Sequence, residues 1–267
     1  MYVQIIVLII ILVLGGFIFK TYPFKADVKK MSLAAILILL NVLLNRFSMM
    51  VPLFGFPSLK ISFEIIPLII AGMLLNPSYA FIVGLSVDLI GLIVVPTQFP
   101  FLGFTLNNIL RPLIPSLWVY YQRNIHSKTI NRLLEGGLII LTSIASIYIF
   151  NLKQVVISKE ELILSQSLKY SMITLLIVAS IILIFISRLM QSKLSGQKRN
   201  DLTHWILMVS VLEIGINLCL TPIWLQTMYN IPFMASLLVR ILKACLMIPI
   251  NSMMGYSCYE LIKKVVD

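Results

Sequence analysis

The sequence predicts an all-α fold, a polytopic membrane helix bundle, and three observations carry that prediction. Of its 267 residues, 60% are apolar and 12% charged, whereas a soluble domain is about half apolar and about a quarter charged. Mean hydropathy is +1.01, and the apolar residues fall in runs of about 20, the helix length that crosses a hydrocarbon core about 30 Å thick. Barrel strands show instead an alternation over ~10 residues. The third observation is the charge of the loops. On one side they carry Lys20, Lys25, Lys29 and Lys30, then Arg123, Lys128 and Arg132, then Arg188, Lys193, Lys198 and Arg199, then Lys263 and Lys264. The opposite loops hold Lys60, Lys153 and Lys159, with Lys169 near a helix end. Cytoplasmic loops are the basic ones, so the chain is expected in the cell membrane with its N-terminus outside and its C-terminus in the cytoplasm.

Nine spans follow in order. Residues 3–19 form the first; no basic segment precedes it and no small-x-small cleavage site follows, so it reads as a retained helix and not a signal peptide. The second, 31–52, closes at Pro52 and a Gly/Pro loop from Leu53 to Ser58. The third, 61–75, stops at Asn76-Pro77, a stop-and-restart signal. The fourth is 78–95, followed by a short loop from Pro96 to Pro100. The fifth, 101–121, contains Pro112 and Pro115, which bend a helix. The sixth to ninth are 133–151, 165–187, 203–225 and 233–262, with the polar segment 188–201 as a cytoplasmic loop.

The net charge of +11 is explained by basic loops that set topology, with no nucleic-acid partner implied. Cys219, Cys245 and Cys258 lie in apolar stretches without CxxC or Cys/His spacing, so neither a disulfide framework nor a metal site is expected. The sequence shows no P-loop, HExxH or Asp-rich motif and no activated nucleophile. An enzyme is not expected, nor a cofactor, and any active uptake must be powered by partners.

Charges inside the spans are the informative residues: Arg46, Glu64, Asp88, Arg111, Glu213, Arg240 and Lys243. Each costs at least about 2.5 kcal/mol at the bilayer centre, so such residues face the protein interior or a wet cavity. Internal ion pairing is the plain alternative, weightiest for Asp88 and Glu213 near mid-membrane. The expected topology puts Arg46, Glu64, Arg111, Arg240 and Lys243 in the outer half or near its floor. Thr105, Asn108 and Arg111, spaced by three, share one side of a helix, as do Arg240 and Lys243. Aromatic residues gather at the same level. Most fit the interfacial belt, while Phe99, Phe104, Trp224 and Tyr229 are candidates to line a pocket and stack on a flat ring. Arginine suits carboxylates, and Glu64 offers an acceptor for the paired donors of an amino-pyrimidine edge. Together these describe a site for an amphiphilic aromatic anion.

Four blocks add a resemblance. They are Leu44-Asn45-Arg46-Phe47; Leu59 to Phe63 with Ile66-Pro67 and Ala71-Gly72-Met73; Val87 to Gly91 through Pro96-Thr97 and Gly103-Phe104-Thr105-Leu106 to Leu110-Arg111; and Trp224-Leu225 through Tyr229 and Pro232-Phe233 to Arg240-Ile241-Leu242-Lys243 and Met247 to Ile250. In these the chain resembles the folate family of substrate-binding S components of energy-coupling factor (ECF) vitamin transporters. The resemblance implies a six-helix core that binds folate on its outer side. It also implies a transmembrane coupling subunit and two cytoplasmic ATPases as partners. The matching pocket positions are Arg46, Thr105, Asn108, Arg111, Trp224, Arg240 and Lys243. The small residues Ser32, Ala34 and Ala35 fall where the family docks on its coupling subunit. Glu64 departs from the family, which is expected to carry a small or apolar residue there.

About three transmembrane helices are additional to that core. The expected sections are 1–30, an extra N-terminal helix and basic linker; 31–121, core helices 1–4; 122–202, an inserted helix pair; and 203–267, core helices 5–6. The leading function is a high-affinity binding subunit for vitamin uptake, with folate first and thiamine, riboflavin or pantothenate as alternatives. A membrane scaffold of the cell-shape type is the reading from another class.

Overall fold

In hydrocarbon every backbone N–H and C=O needs a partner within its own segment, so long apolar runs become helices. The computed structural model describes residues 2–53, 56–94, 100–121, 127–151, 154–157, 160–163, 166–192, 194, 196–229 and 233–266. The elements are α1 (Tyr2–Thr21), α2 (Val28–Arg46), β1 (Met49–Leu53), β2 (Phe56–Ile61), α3 (Ile65–Leu74), α4 (Pro77–Val94) and α5 (Leu102–Tyr121). They continue with α6 (Ser127–Asn151), β3 (Gln154–Ile157), β4 (Glu160–Ile163), α7 (Gln166–Ser192), α8 (Gly196–Val211), a π-helical stretch (Leu212–Leu220), α9 (Thr221–Tyr229) and α10 (Phe233–Val266). Among the described residues, four helices are long and apolar enough to cross a membrane: Tyr2–Thr21, Val28–Arg46, Pro77–Val94 and Gly196–Met228. The protein is an all-α, multi-pass membrane helix bundle.

The chain divides into two units, Met1–Met49 with Lys60–Arg123 and Tyr259–Asp267, and Met50–Leu59 with Asn124–Cys258. In the first, α1 buries one stripe, Val7, Ile11 and Ile18, and exposes Ile5, Ile6, Ile9, Leu12 and Val13. A helix apolar all round with only one stripe covered suits a lipid surround. That stripe packs on α4 and α5, with Phe19 edge-on to Phe81 at 5.6 Å. Asp27 caps α2 by accepting from the Lys29 N–H, as N-cap carboxylates do.

Two predicted spans are shorter than expected. The second stops at Arg46, and the third keeps only α3, because β1 and β2 form a two-stranded sheet between them. Pro52 for the second span and Pro67 in the first turn of α3 for the third explain this, since proline removes the helical N–H and clashes with the preceding turn. The ten residues of α3 reach about 15 Å at 1.5 Å per residue, half a hydrocarbon core. Ile65 to Met73 are all buried, so α3 is a core element packed on α2, α4 and α5. Pro77 then opens α4 at the first helical position, where its missing N–H costs nothing.

In the second unit α6 and α7 pair as a helical hairpin. Antiparallel β3 and β4 tip it, with Gln154 opposite Ile163 and Ile157 opposite Glu160. Near the other end of the hairpin Arg188 donates twice to Glu135, from Nε and from Nη2, at 2.8 Å each. The core of this unit gathers Ile149, Leu218 and Ile241, flanked by Ile173, Ile214 and Leu237.

Candidate functional site

In the first unit the sequence-predicted polar residues meet on α5. Helical spacing stacks Thr105, Asn108 and Arg111 on one side, and α4 brings Asp88 against them. Thr105 Oγ1 donates to Asp88 Oδ2 at 2.6 Å, and Asn108 Nδ2 donates to Asp88 Oδ1 at 2.9 Å. Arg111 Nη1 donates to Asn108 Oδ1 at 2.9 Å and lies 3.5 Å from Glu64 Oε1. Lys60 Nζ donates to Glu64 Oε2 at 2.9 Å and to Asn45 Oδ1 at 2.6 Å. One polar chain thus runs Asp88, Asn108, Arg111, Glu64, Lys60, Asn45 and draws on α4, α5, the start of α3, β2 and α2. Its two carboxylates and two cations balance, which fits the cost of burying charge away from water.

Two glycines set its geometry. A Cβ at Gly84 would run into the Asn108 carbonyl and lie 2.5 Å from Ile109 Cα. A Cβ at Gly72 would run into the Pro112 carbonyl and lie 2.9 Å from Pro115 Cβ. The turn that carries Asn108 and Arg111 is therefore clamped between α4 and α3 at backbone distance. Asp88 stands one turn beyond Gly84, within reach of Asn108 because nothing holds the two helices apart.

Other candidates of this unit lie elsewhere. Arg46 is exposed and donates from Nη2 to the Val94 carbonyl at 2.6 Å, where it satisfies a terminal carbonyl of α4 that has no partner within the helix. Phe104 packs edge-on against Phe101 at 5.8 Å. Of the docking trio, Ser32 and Ala35 are exposed and Ala34 is buried. Phe99 lies outside the described residues, as does the side chain of Tyr229.

The second unit holds Trp224, which is buried, and Arg240 and Lys243, which are half-buried. Arg240 donates from Nε to Ser236 Oγ at 3.2 Å and from Nη1 to the Asn217 carbonyl at 3.2 Å. That carbonyl is available for a local reason. In the π-helical stretch the Thr221 N–H reaches back five residues to the Ile216 carbonyl. The next position, Pro222, has no N–H to give to Asn217. The Asn217 side chain in turn donates to Glu213 Oε2 at 2.8 Å, and Glu213 is only 3% exposed. A π-helical turn of this kind often marks a functional position; here it hands a carbonyl to an arginine.

Sequence reading missed Lys60 and Asn45, taken as loop and helix-end residues, and did not tie Asp88 to Thr105 and Asn108. The four-residue step from Lys60 to Glu64 was visible, but its meaning depended on the turn that follows β2. Pro222 inside a long apolar run was the available signal for the freed carbonyl.

No family model matches the chain, and no curated protein matches it. A solved structure does. The chain superposes on FolT bound with folic acid with a TM-score of 0.51 at 20% identity, covering 88% of this chain and 97% of that one. The protein shares its fold with FolT. The likeness extends over nearly the whole of FolT, so it concerns the architecture and not one hairpin.

Proposed function

We propose that this protein is the substrate-capturing membrane subunit of an ECF-type vitamin transporter and that its ligand is a folate. The observation that carries the reading is the fold shared with a protein solved with folic acid in place. The part-buried Thr105–Asn108–Arg111 face supports it, because it sets a guanidinium beside amide and hydroxyl groups, a setting suited to an anion with a hydrogen-bonding ring. In the second unit Arg240 and Lys243 are proposed as contacts for anionic groups, and Trp224 as a stacking surface. Since the sequence carries no ATP-binding motif, energy comes from two cytoplasmic ATPases through a coupling subunit that docks on the α2 segment of Ser32, Ala34 and Ala35, of which Ser32 and Ala35 are exposed. The proposed orientation places the N-terminus outside, as the basic loops require.

The test is native mass spectrometry of detergent-purified protein incubated with folic acid, thiamine, riboflavin and pantothenate together. The expected result is one retained molecule with the mass of folic acid. Retention of another vitamin reassigns the ligand within the transporter reading. Retention of none, with the cell-wall machinery co-purifying instead, favours the scaffold.

A further inference from the structure

Resting on the reading of a carboxylate ligand, we propose that Glu64 is a built-in counter-ion. The ligand's own carboxylate displaces it from Arg111, so Glu64 sets how tightly the site holds an anion. Its two oxygens are divided between two cations of different elements, Oε1 toward Arg111 at 3.5 Å and Oε2 toward Lys60 at 2.9 Å. The Lys60 arm is short, and the Arg111 arm is at the outer limit of a hydrogen bond. Of these two contacts, the one that must open is the longer.

The partners keep their places when it opens. Arg111 Nη1 is also anchored to Asn108 Oδ1 at 2.9 Å, so the guanidinium stays in register with α5. Lys60 retains Asn45 as a second acceptor at 2.6 Å. Glu64 itself stands at the N-cap of α3 and makes no side-chain capping bond, so its carboxylate is not committed to the helix end. Both Arg111 and Glu64 side chains are 14% exposed, and a bare cation at that depth is costly. A resident carboxylate removes that cost in the unloaded protein. Exchanging it for a ligand carboxylate keeps one anion on Arg111, and the planar fork of Arg111 donates to the newcomer through two parallel bonds.

The consequence is a sign that ordinary ligand contacts do not give. Glu64→Gln keeps the shape and removes the competing charge. It is expected to tighten folic acid binding by about tenfold, the factor that about 1.4 kcal/mol supplies. The diamide of folic acid, which has no carboxylate to exchange, is expected to bind wild type and E64Q equally. Lys60→Gln removes the cation that draws Glu64 away from Arg111, and the expected effect is weaker folic acid binding with no change for the diamide. Titration calorimetry on detergent-purified protein reads all of these. If E64Q binds folic acid no tighter than wild type, or shifts acid and diamide alike, the proposal is overturned while the folate reading stands. Weaker binding by E64Q identifies Glu64 as a direct ligand contact instead. Should E64Q not fold, an unchanged folic acid affinity in K60Q overturns the proposal by itself. Failure of wild type to bind folic acid at all removes the reading and the proposal with it.

Discussion

At the scale of single residues, the polar chain of the first unit makes a sharp claim about Asp88. Both its oxygens accept, one from Thr105 and one from Asn108, and hydrogen bonds to a charged group contribute about 1.5–3 kcal/mol each. Asp88→Asn keeps the shape but turns an amide donor toward one of those donors. We expect it to lower stability by about 2–4 kcal/mol, read as a fall in the melting temperature in detergent, and to weaken folic acid binding through the lost placement of Asn108. In the second unit Arg240→Ala and Lys243→Ala are each expected to weaken folic acid binding by tenfold or more, on the order of the 2 kcal/mol and upward that truncating a buried charge contact costs. Unchanged affinity in both variants contradicts their assignment to the ligand. The spacing of Thr105, Asn108 and Arg111 was legible because helical periodicity alone puts them on one side. What Asp88 does was not, because it depends on how closely α4 approaches α5, and that closeness is written in Gly84.

The helix contacts themselves give a paired test. Gly84 and Gly72 admit the α5 backbone where a methyl group has no room. Overpacking of this kind costs about 1–3 kcal/mol or more. Gly84→Ala and Gly72→Ala are therefore expected to lower the melting temperature. Gly16→Ala and Gly91→Ala, whose new methyl groups meet nothing within 4 Å, are expected to leave it unchanged or raise it, since alanine favours a helix by about 0.5–1 kcal/mol. A matching fall in all four contradicts the clamp. For the π-helical stretch, Pro222→Ala supplies the missing N–H. Asn217 then has a donor within its own helix, and Arg240 loses a partner; helical content by circular dichroism should hold while folic acid affinity falls several-fold. The helices were legible from apolar runs, and one boundary from Asn76-Pro77, but the polar segment 188–201, expected as a loop, lies largely in α7 and α8. Neither hairpin was legible. The β1–β2 pair looks, by composition, like the tail of one span and the head of the next, and the β3–β4 pair like a plain loop between two spans.

For the molecule as a whole, composition and hydropathy were enough for the class of fold, and the described helices and the likeness to FolT agree with it. The loop charges add an orientation that labelling tests directly. In a background lacking Cys219, Cys245 and Cys258, a single cysteine at Ser58 should react with an impermeant maleimide added to intact cells. One at Lys29 should react only after the membrane is opened, and the reverse pattern contradicts the proposed topology. The central claim is capture of a folate, and the measurement that meets it most directly is calorimetric titration of the purified, folded chain with folic acid. One saturable site is expected, with a dissociation constant of about 1 μM or tighter, corresponding to about −8 kcal/mol. Absence of any heat of binding from protein that still melts cooperatively contradicts it.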